Sequence, residues 1–342
     1  MADTLTFVLD GWELPSAGQQ LLDRFLLGYA HEGARRRPAF QVRLCPIGPM
    51  DAALLEPRQA RGLQVEADLG RSLAEARGVV VGWKPPGDLP NDSLLQAILS
   101  AAPAMSRCFV AGPLCRASSI PALKPILDER TISLQAGSAL NVTWHLPPLG
   151  LPSDATLTEA LVVVQGTTRK AAWEGLEALA PVLHPRAGGE TTLEDVTAMT
   201  GEEIWNAGKQ GRWSWDLLAA ALSRSDAPQG DPVRDGRTQD LVGLGLVPGL
   251  TRDPRGWLLR HRNGLRTCIL VLDGVVADCN LAVRTRDQDI RSCQVLQAAR
   301  PAQEEYSLLA HLVERFLLGD QAPGSLEQSL WIASALDQMA KG

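Results

Sequence analysis

No stretch of this chain stays apolar for the ~18 residues that a membrane-spanning helix needs. The first residues, Met1-Ala2-Asp3-Thr4, have neither the basic start nor the apolar run of a secretory leader. These two absences point to a soluble protein of the cytoplasm. The six cysteines, Cys45, Cys108, Cys115, Cys268, Cys279 and Cys293, never form a CxxC pair and never stand beside a histidine at ligand spacing. That argues against a zinc module or a disulfide framework and fits reduced thiols. The five histidines, His31, His145, His184, His261 and His311, are too scattered in sequence to suggest a shared metal.

A broad basic face is also missing. Lys and Arg number 33 against 39 Asp and Glu, a net charge of −6, so a nucleic-acid footprint is not expected. The one basic run, Arg35-Arg36-Arg37, is followed by Pro38. It reads as a solvated loop, with a phosphate site as the alternative. No Walker A loop, HExxH, EF-hand or GxSxG occurs. The GxGxxG of dinucleotide folds is absent too. The first strand runs into Asp10-Gly11-Trp12-Glu13-Leu14-Pro15-Ser16-Ala17-Gly18, where the glycines have the wrong spacing and Trp12 and Glu13 would crowd and repel a pyrophosphate. An NAD(P) cofactor is left open without its motif. The glycine-rich run 243–249 lacks a preceding strand and reads as a plain loop.

What is present is ordinary globular composition, 45% hydrophobic and 21% charged, over 342 residues, which suits two fused domains. Apolar runs at 5–9, 40–44, 78–82 and 108–112 read as strands. Helical spacing appears at 21–27, closed by Gly28, and at 94–101 and 120–128, with shorter helix pieces at 60–62 and 72–77. Strand and helix alternate, so the first half is expected to be a parallel sheet covered on both faces. Pro147, Pro148 and Pro152 mark a boundary. Beyond it, 159–165 is a strand and 171–183 an amphipathic helix. Residues 257–261 and 266–272 form a hairpin around Asn263-Gly264. Residues 275–284 are expected to add a third antiparallel strand, and helices follow at 307–318 and 327–339. The segments 21–28 and 312–319 nearly match but their flanks do not, so they read as two similar capped helices, not a duplication.

Three stretches carry candidate chemistry. Trp83-Lys84-Pro85-Pro86-Gly87-Asp88 follows the strand at 79–82, where parallel sheets form their ligand crevice. Lys84 can donate a proton or hold an anion with Asp88 orienting it; the competing reading is a rigid polyproline turn. Gly137-Ser138-Ala139-Leu140-Asn141-Val142-Thr143-Trp144 is the most site-like polar stretch, with amides that can face a cleft. It reads equally as a joint between halves, with Trp144 burying a large area. His145 is the histidine best placed for a cleft, against a structural role. Trp205, Trp213 and Trp215 cluster with Arg212 as an interface patch or as core packing of a helical subdomain.

The runs LLDRFLLGYAHEG, GSALNVTWHLP, PRAGGET, GEEIW, GRWSWDLLAAALSRS and RNGLRTCILVLDGVVADCNLAVR occur in that order. Together they resemble uncharacterised bacterial proteins distantly similar to the Gfo/Idh/MocA oxidoreductases, over nearly the whole chain. The resemblance implies a Rossmann-like domain over 1–148 and an α+β domain with a mainly antiparallel sheet over 149–342. It also implies departures. The strand at 79–82 leads in the family to acidic, histidine, glycine and aspartate residues, where this chain has Trp83 and Lys84, keeping Gly87, Asp88 and Pro90. The next strand leads there to aspartate, lysine and histidine, where this chain reads Ala111-Gly112-Pro113-Leu114-Cys115. A histidine of the helix after the first strand of the second domain is replaced near Trp173-Glu174.

Three functions follow as expectations. The first is a non-catalytic, oxidoreductase-like subunit that pairs with a catalytically intact relative through the C-terminal sheet and Arg212, Trp213 and Trp215. The second is an enzyme on a sugar-like or polyol substrate, with Lys84 as general acid and Asp88 and His145 in support. The third is a small-molecule binder using a crevice of Gly11, Trp12, Trp83, Gly137, Ser138, Asn141, Thr143 and Trp144. No metal site is expected in any of them.

Overall fold

The first strand, DTLTFVLD, has apolar side chains on both of its faces, and Leu5, Phe7 and Val8 are fully buried. Such a strand needs cover on both sides, which a parallel sheet between helix layers supplies. The computed structural model describes residues 3–11, 14–83, 90–184, 192–227, 240–298, 304–320 and 323–341. The chain forms two compact units: Met1–Val142 with Ala298–Ala333, and Thr143–Gln297 with Ser334–Gly342.

The first unit begins with β1 (Asp3–Asp10), α1 (Ala17–Leu27) and a hairpin of β2 (Tyr29–His31) and β3 (Ala34–Arg36). It continues through β4 (Phe40–Ile47), α2 (Ala52–Gln59), β5 (Gln64–Val65), α3 (Leu69–Leu73), β6 (Ala76–Gly82), α4 (Asp92–Ala101), β7 (Arg107–Ala111), α5 (Ile120–Arg130) and β8 (Ser133–Gly137). The large sheet is ordered β5-β4-β1-β6-β7-β8, and every pairing in it is parallel. The chain winds outward one way from β1 through β4 to β5, then back past β1 to β6, β7 and β8. That is the strand order of the doubly wound dinucleotide fold, and its switch point lies between β1 and β6.

Local chemistry sets the helix ends. Ser16 caps α1 by accepting from Gln19 N, and Gly28 ends it at φ +91°. The expected helix pieces at 60–62 and 72–77 are corrected: 60–62 is a turn after α2, and of 72–77 only Ser72 and Leu73 are helical, as the end of α3, before β6 begins at Ala76. The starts are set by Asp51, which accepts from Ala53 N, and Asp68, which accepts from Arg71 N. Pro57 inside α2 hides that helix from a reading by propensity.

The second unit comprises β9 (His145–Leu146), β10 (Leu157–Val164), α6 (Thr168–Leu183), β11 (Leu193–Thr200), α7 (Glu202–Lys209), α8 (Trp215–Leu222), α9 (Val247–Leu250), β12 (Arg252–His261), β13 (Arg266–Asp273), β14 (Cys279–Thr285) and β15 (Ile290–Val295). Its mixed sheet is ordered β11-β12-β13-β10-β14-β15-β9. The hairpin of β12 and β13 turns at Gly264, φ +87°. The third strand is corrected in its neighbour. β14 pairs with β10, not with β13, and β10 lies between them, parallel to β13 and antiparallel to β14. Residues 160–164 of β10 are buried on both faces, so the strand takes a central place. Helix α6 packs on the face of Ile269, where Gly175 lets it approach, since a Cβ there would stand 2.6 Å from Ile269 Cγ2. Helix α8 packs on the opposite face, against Leu161, Val163, Cys268 and Leu270.

Helices α10 (Glu305–Leu318) and α11 (Leu326–Met339) close the chain. A division at 148 assigns them to the second half. Packing instead returns residues 298–333 to the first unit. The two similar helices noted in the sequence are neighbours there: Leu21, Leu22 and Phe25 of α1 share a core with Val313, Phe316 and Leu317 of α10, and Arg24 Nε donates to Ser307 Oγ at 3.0 Å. Among the described residues, no helix is long and apolar enough to cross a membrane.

Candidate functional site

The carboxyl ends of the parallel strands form the ligand edge of a doubly wound sheet. In this chain that edge begins with Gly11, directly after β1, at φ +83°. Two turns of backbone then come unusually close. A Cβ on Gly18 would lie 2.7 Å from Leu9 Cδ2, and one on Gly82 would lie 3.1 Å from the Cα of Gly18. The two glycines press the start of α1 against the ends of β1 and β6. This is the work done by the last glycine of a dinucleotide loop, achieved here without that motif. The sequence reading missed Gly18 and Gly82 as a pair because the signal is a contact between residues 64 apart.

On the next strand the edge is plain. β4 ends in Pro46-Ile47, followed by Gly48, Pro49 and Met50. The first carboxylate after it, Asp51, accepts from Ala53 N at 2.9 Å and caps α2. A dinucleotide fold commonly anchors ribose with an acidic residue here.

Between β6 and β7 the edge is filled. Trp83 is 7% exposed, its Nε1 donates to Pro113 O at 2.8 Å, and its Cδ1 would stand 3.2 Å from a Cβ on Gly112. The indole therefore lies across the ends of two neighbouring strands, and the absence of a side chain at Gly112 makes room for it. Leu114 and Cys115 turn inward to the core.

The polar stretch after β8 divides between the units. Ser138 is buried and accepts from Leu140 N at 3.1 Å; Asn141 Oδ1 accepts from Gln328 Nε2 at 2.8 Å. Gly137 ends β8 beside Ala111. Thr143, Trp144 and His145 belong to the second unit. Thr143 Oγ1 donates to Leu296 O at 2.7 Å, and Trp144 O accepts from Leu296 N at 3.0 Å. The expected burial of Trp144 is corrected: the residue is 44% exposed, and its main chain is tied to Leu296, just after β15. His145 sits on the edge strand β9, and burial lowers its pKa, so it is neutral at pH 7. Trp12, Lys84 and Asp88 lie outside the described residues.

In the tryptophan cluster, Trp213 is 4% exposed, donates to Ile204 O at 2.9 Å and belongs to the core under α7 and α8. Its ring lies 4.5 Å from that of Trp215, which stacks on Trp205 at 6.1 Å. Trp213 therefore packs inward, and the surface of this patch is Arg212, whose Nη2 donates to Thr197 Oγ1, with part of Trp215. Glu174, named above only as the neighbourhood of a replaced histidine, lies on α6, where burial raises its carboxyl pKa, opposed by Lys170 at 3.6 Å. Among the described residues, no group of three or more His, Cys, Asp or Glu side chains is arranged to hold a metal ion.

No protein-family model and no curated protein matches this chain. Solved structures do. GenD2 from gentamicin A biosynthesis, in complex with NAD, superposes with a TM-score of 0.63 at 11% identity, covering 100% of this chain and 94% of its own. Scyllo-inositol dehydrogenase from Lactobacillus casei, with NAD(H) and scyllo-inositol, gives 0.59 at 9% identity, covering 99% and 96%. UDP-N-acetylglucosamine 3-dehydrogenase GnnA from Acidithiobacillus ferrooxidans gives 0.53 at 14% identity, covering 99% and 97%. The fold is that of the Gfo/Idh/MocA oxidoreductases. Both units are matched, so the likeness extends beyond the nucleotide-type sheet to the mixed sheet of the second unit.

At the carboxyl edge of the parallel sheet Gly18 and Gly82 are tightly packed, a Cβ on either meeting Leu9 Cδ2 at 2.7 and 2.8 Å, and Gly11 turns the chain at φ +83°. The plain end of β4 offers no carboxylate on the strand itself.

Proposed function

We propose that this chain is an oxidoreductase-fold protein that keeps the nucleotide end of its crevice, has lost the chemical end, and serves as a non-catalytic subunit beside a catalytically intact relative. The observation that carries this reading is Trp83. Its indole, held to Pro113 O, fills the ends of β6 and β7, where such a fold places reacting groups. Gly112 and Pro113 bring no proton carrier to that edge. Gly11 and the start of α1 are the groups that would face the pyrophosphate of a nicotinamide dinucleotide, against the crowding and negative charge that Trp12 and Glu13 bring to the same loop. The bound group would supply a hydride acceptor. A cytoplasmic location and pairing through the edges of the mixed sheet, β11 and β9, belong to the same proposal.

The test is titration with NAD+ and NADH by calorimetry, together with turnover assays on a panel of polyols and sugars. Binding without turnover, and co-purification with an active relative expressed beside it, is the expected result. Turnover that is lost in Lys84→Ala with an unchanged fold would overturn it. That outcome would favour the second reading, an enzyme on a sugar-like or polyol substrate, which the neutral imidazole of His145 supports. Polyol binding with neither turnover nor a partner would favour a small-molecule binder.

A further inference from the structure

In a doubly wound sheet the adenosine ribose lies against the end of the strand next outward from the first, which in this chain is β4. A carboxylate there takes the ribose hydroxyls, or a guanidinium takes a 2′-phosphate. β4 ends in Pro46 and Ile47, and no Lys or Arg occurs from Leu44 through Pro57. The guanidiniums on either side are engaged elsewhere. Arg43 Nη1 donates to Ser72 O at 3.2 Å, and Nη2 lies 3.7 Å from Glu75. Arg58 uses all three of its nitrogens: Nε and Nη2 donate to Asp23 at 2.6 Å each, and Nη1 donates to Leu54 O at 2.7 Å. The charge left at this corner is negative. Asp51 is the first charged residue after β4, and it is exposed. Its Oδ1 accepts from Ala53 N, so the carboxylate also closes the start of α2, the other place where a phosphate could find N–H donors. Past β5, the outer neighbour of β4, Glu66 and Asp68 come before Arg71. Glu66 accepts from Asp68 N and Asp68 from Arg71 N. Among the described residues, none of these three carboxylates is in an ion pair. Gly48 leaves the approach open, since a Cβ there would meet nothing within 4 Å.

We propose that this corner selects a dinucleotide without a 2′-phosphate, NAD(H) over NADP(H), and that it does so by repulsion. The Asp51 carboxylate is turned to α2 and does not hold the ribose. It stands with Glu66 and Asp68 at the strand ends toward which a 2′-phosphate is directed, and no guanidinium is there to neutralise that phosphate. An unpaired like charge lowers the affinity of the rejected ligand without tightening the accepted one. The preference rests on the reading that the crevice keeps its nucleotide end. Because the groups are exposed, salt screens the repulsion, with a Debye length of ~8 Å at physiological ionic strength. A hydrogen bond from the ribose to a carboxylate would be far less sensitive to salt.

The experiment is calorimetric titration of the full chain with NADH and with NADPH, at low and at high salt, repeated on Asp51→Asn. Asparagine caps a helix as well as aspartate does, so α2 keeps its start, and circular dichroism checks the fold. At low salt NADH is expected to bind about tenfold or more tighter than NADPH, and the ratio is expected to shrink as salt rises. Asp51→Asn is expected to narrow the ratio by about threefold, through tighter binding of NADPH. NADPH binding as tightly as NADH or more tightly overturns the proposal, and so does a ratio that salt leaves unchanged. A ratio narrowed through weaker binding of NADH also overturns it, because the Asp51 carboxylate would then hold the ribose. Binding of neither dinucleotide overturns the nucleotide reading itself, and this preference with it.

Discussion

Gly18 and Gly82 touch backbone to backbone, with a Cβ on Gly82 placed 3.1 Å from the Cα of Gly18 and 2.8 Å from Leu9 Cδ2. The start of α1 can approach the sheet only because both residues lack a side chain. Gly18→Ala is expected to cost about 1–3 kcal/mol, the usual range for forcing a methyl into a packed core. A urea melt measures it. If the crevice holds a dinucleotide, the same change also weakens nucleotide binding. An unchanged melting midpoint would mean that Leu9 moves aside freely.

The bond from Trp83 Nε1 to Pro113 O separates two contributions of one side chain. Trp83→Phe keeps most of the ring and loses the bond, a loss of about 1 kcal/mol. Trp83→Ala also leaves a cavity across β6 and β7, and about 3–5 kcal/mol is expected. Denaturant midpoints of the two variants read the difference. Equal effects would mean that the indole does not fill the strand ends.

In a buried place Ser329 Oγ accepts from Ala136 N and lies within hydrogen-bond distance of both Ala136 O and Ser325 O. Ser329→Ala leaves the Ala136 amide without that partner and is expected to destabilise the protein by about 1–3 kcal/mol. Hydrogen exchange should show the Ala136 amide losing protection first. Protection at the wild-type level would show that another group takes over the edge.

The hairpin of β2 and β3 docks on α10 through a stack of His31 on His311, ring centroids 3.8 Å apart, while Tyr29 donates to Glu314 at 2.6 Å and lies 3.2 Å from His311 Nδ1. Burial lowers the His311 pKa, and His31, Arg36 and Arg315 lower it further against the opposing Glu32. A depressed folded pKa means that the unfolded chain takes up the proton first. The contribution of His311 is therefore full above its ordinary value near ~6.5 and is lost as pH falls through the folded pKa. Stability measured from pH 7.5 to 5 should decline more steeply in the wild type than in His311→Phe. Parallel curves would exclude this histidine as the source.

None of the six thiols is in a disulfide, and all six are buried. Burial pushes Cys108 up to about 12 and Cys279 well above the ordinary thiol range. At pH 8 the folded protein is expected to react with a thiol reagent far more slowly than the protein in guanidinium, where all six titrate. Fast labelling of the native state would show that one of these strands opens readily.

Much of the architecture follows from local pattern. Residues 5–9 and 78–82 are apolar on both faces and so read as buried parallel strands. Asn263-Gly264 turns a hairpin because its positive φ suits the twist of the flanking strands. The candidate site was less legible. Gly11 and Trp83 stand out by their place after strands. The contact of Gly18 with Gly82, the reach of Trp83 to Pro113 and the inward packing of Trp213 join residues that no local spacing relates.

The sequence by itself determined the strands and helices whose side-chain period is strong, such as β1, β6, α1 and α4, and that the first sheet is parallel; α2, β11 and β15 were not legible in it. The tertiary structure alone decided who lies beside whom. It inserted β10 between β13 and β14, returned residues 298–333 to the first unit, and set the two glycines together. The physical reason is that side-chain period and cap chemistry act over a few residues. The choice of neighbour is made by long-range burial, and a strand that is apolar on both faces accepts any neighbour that covers it.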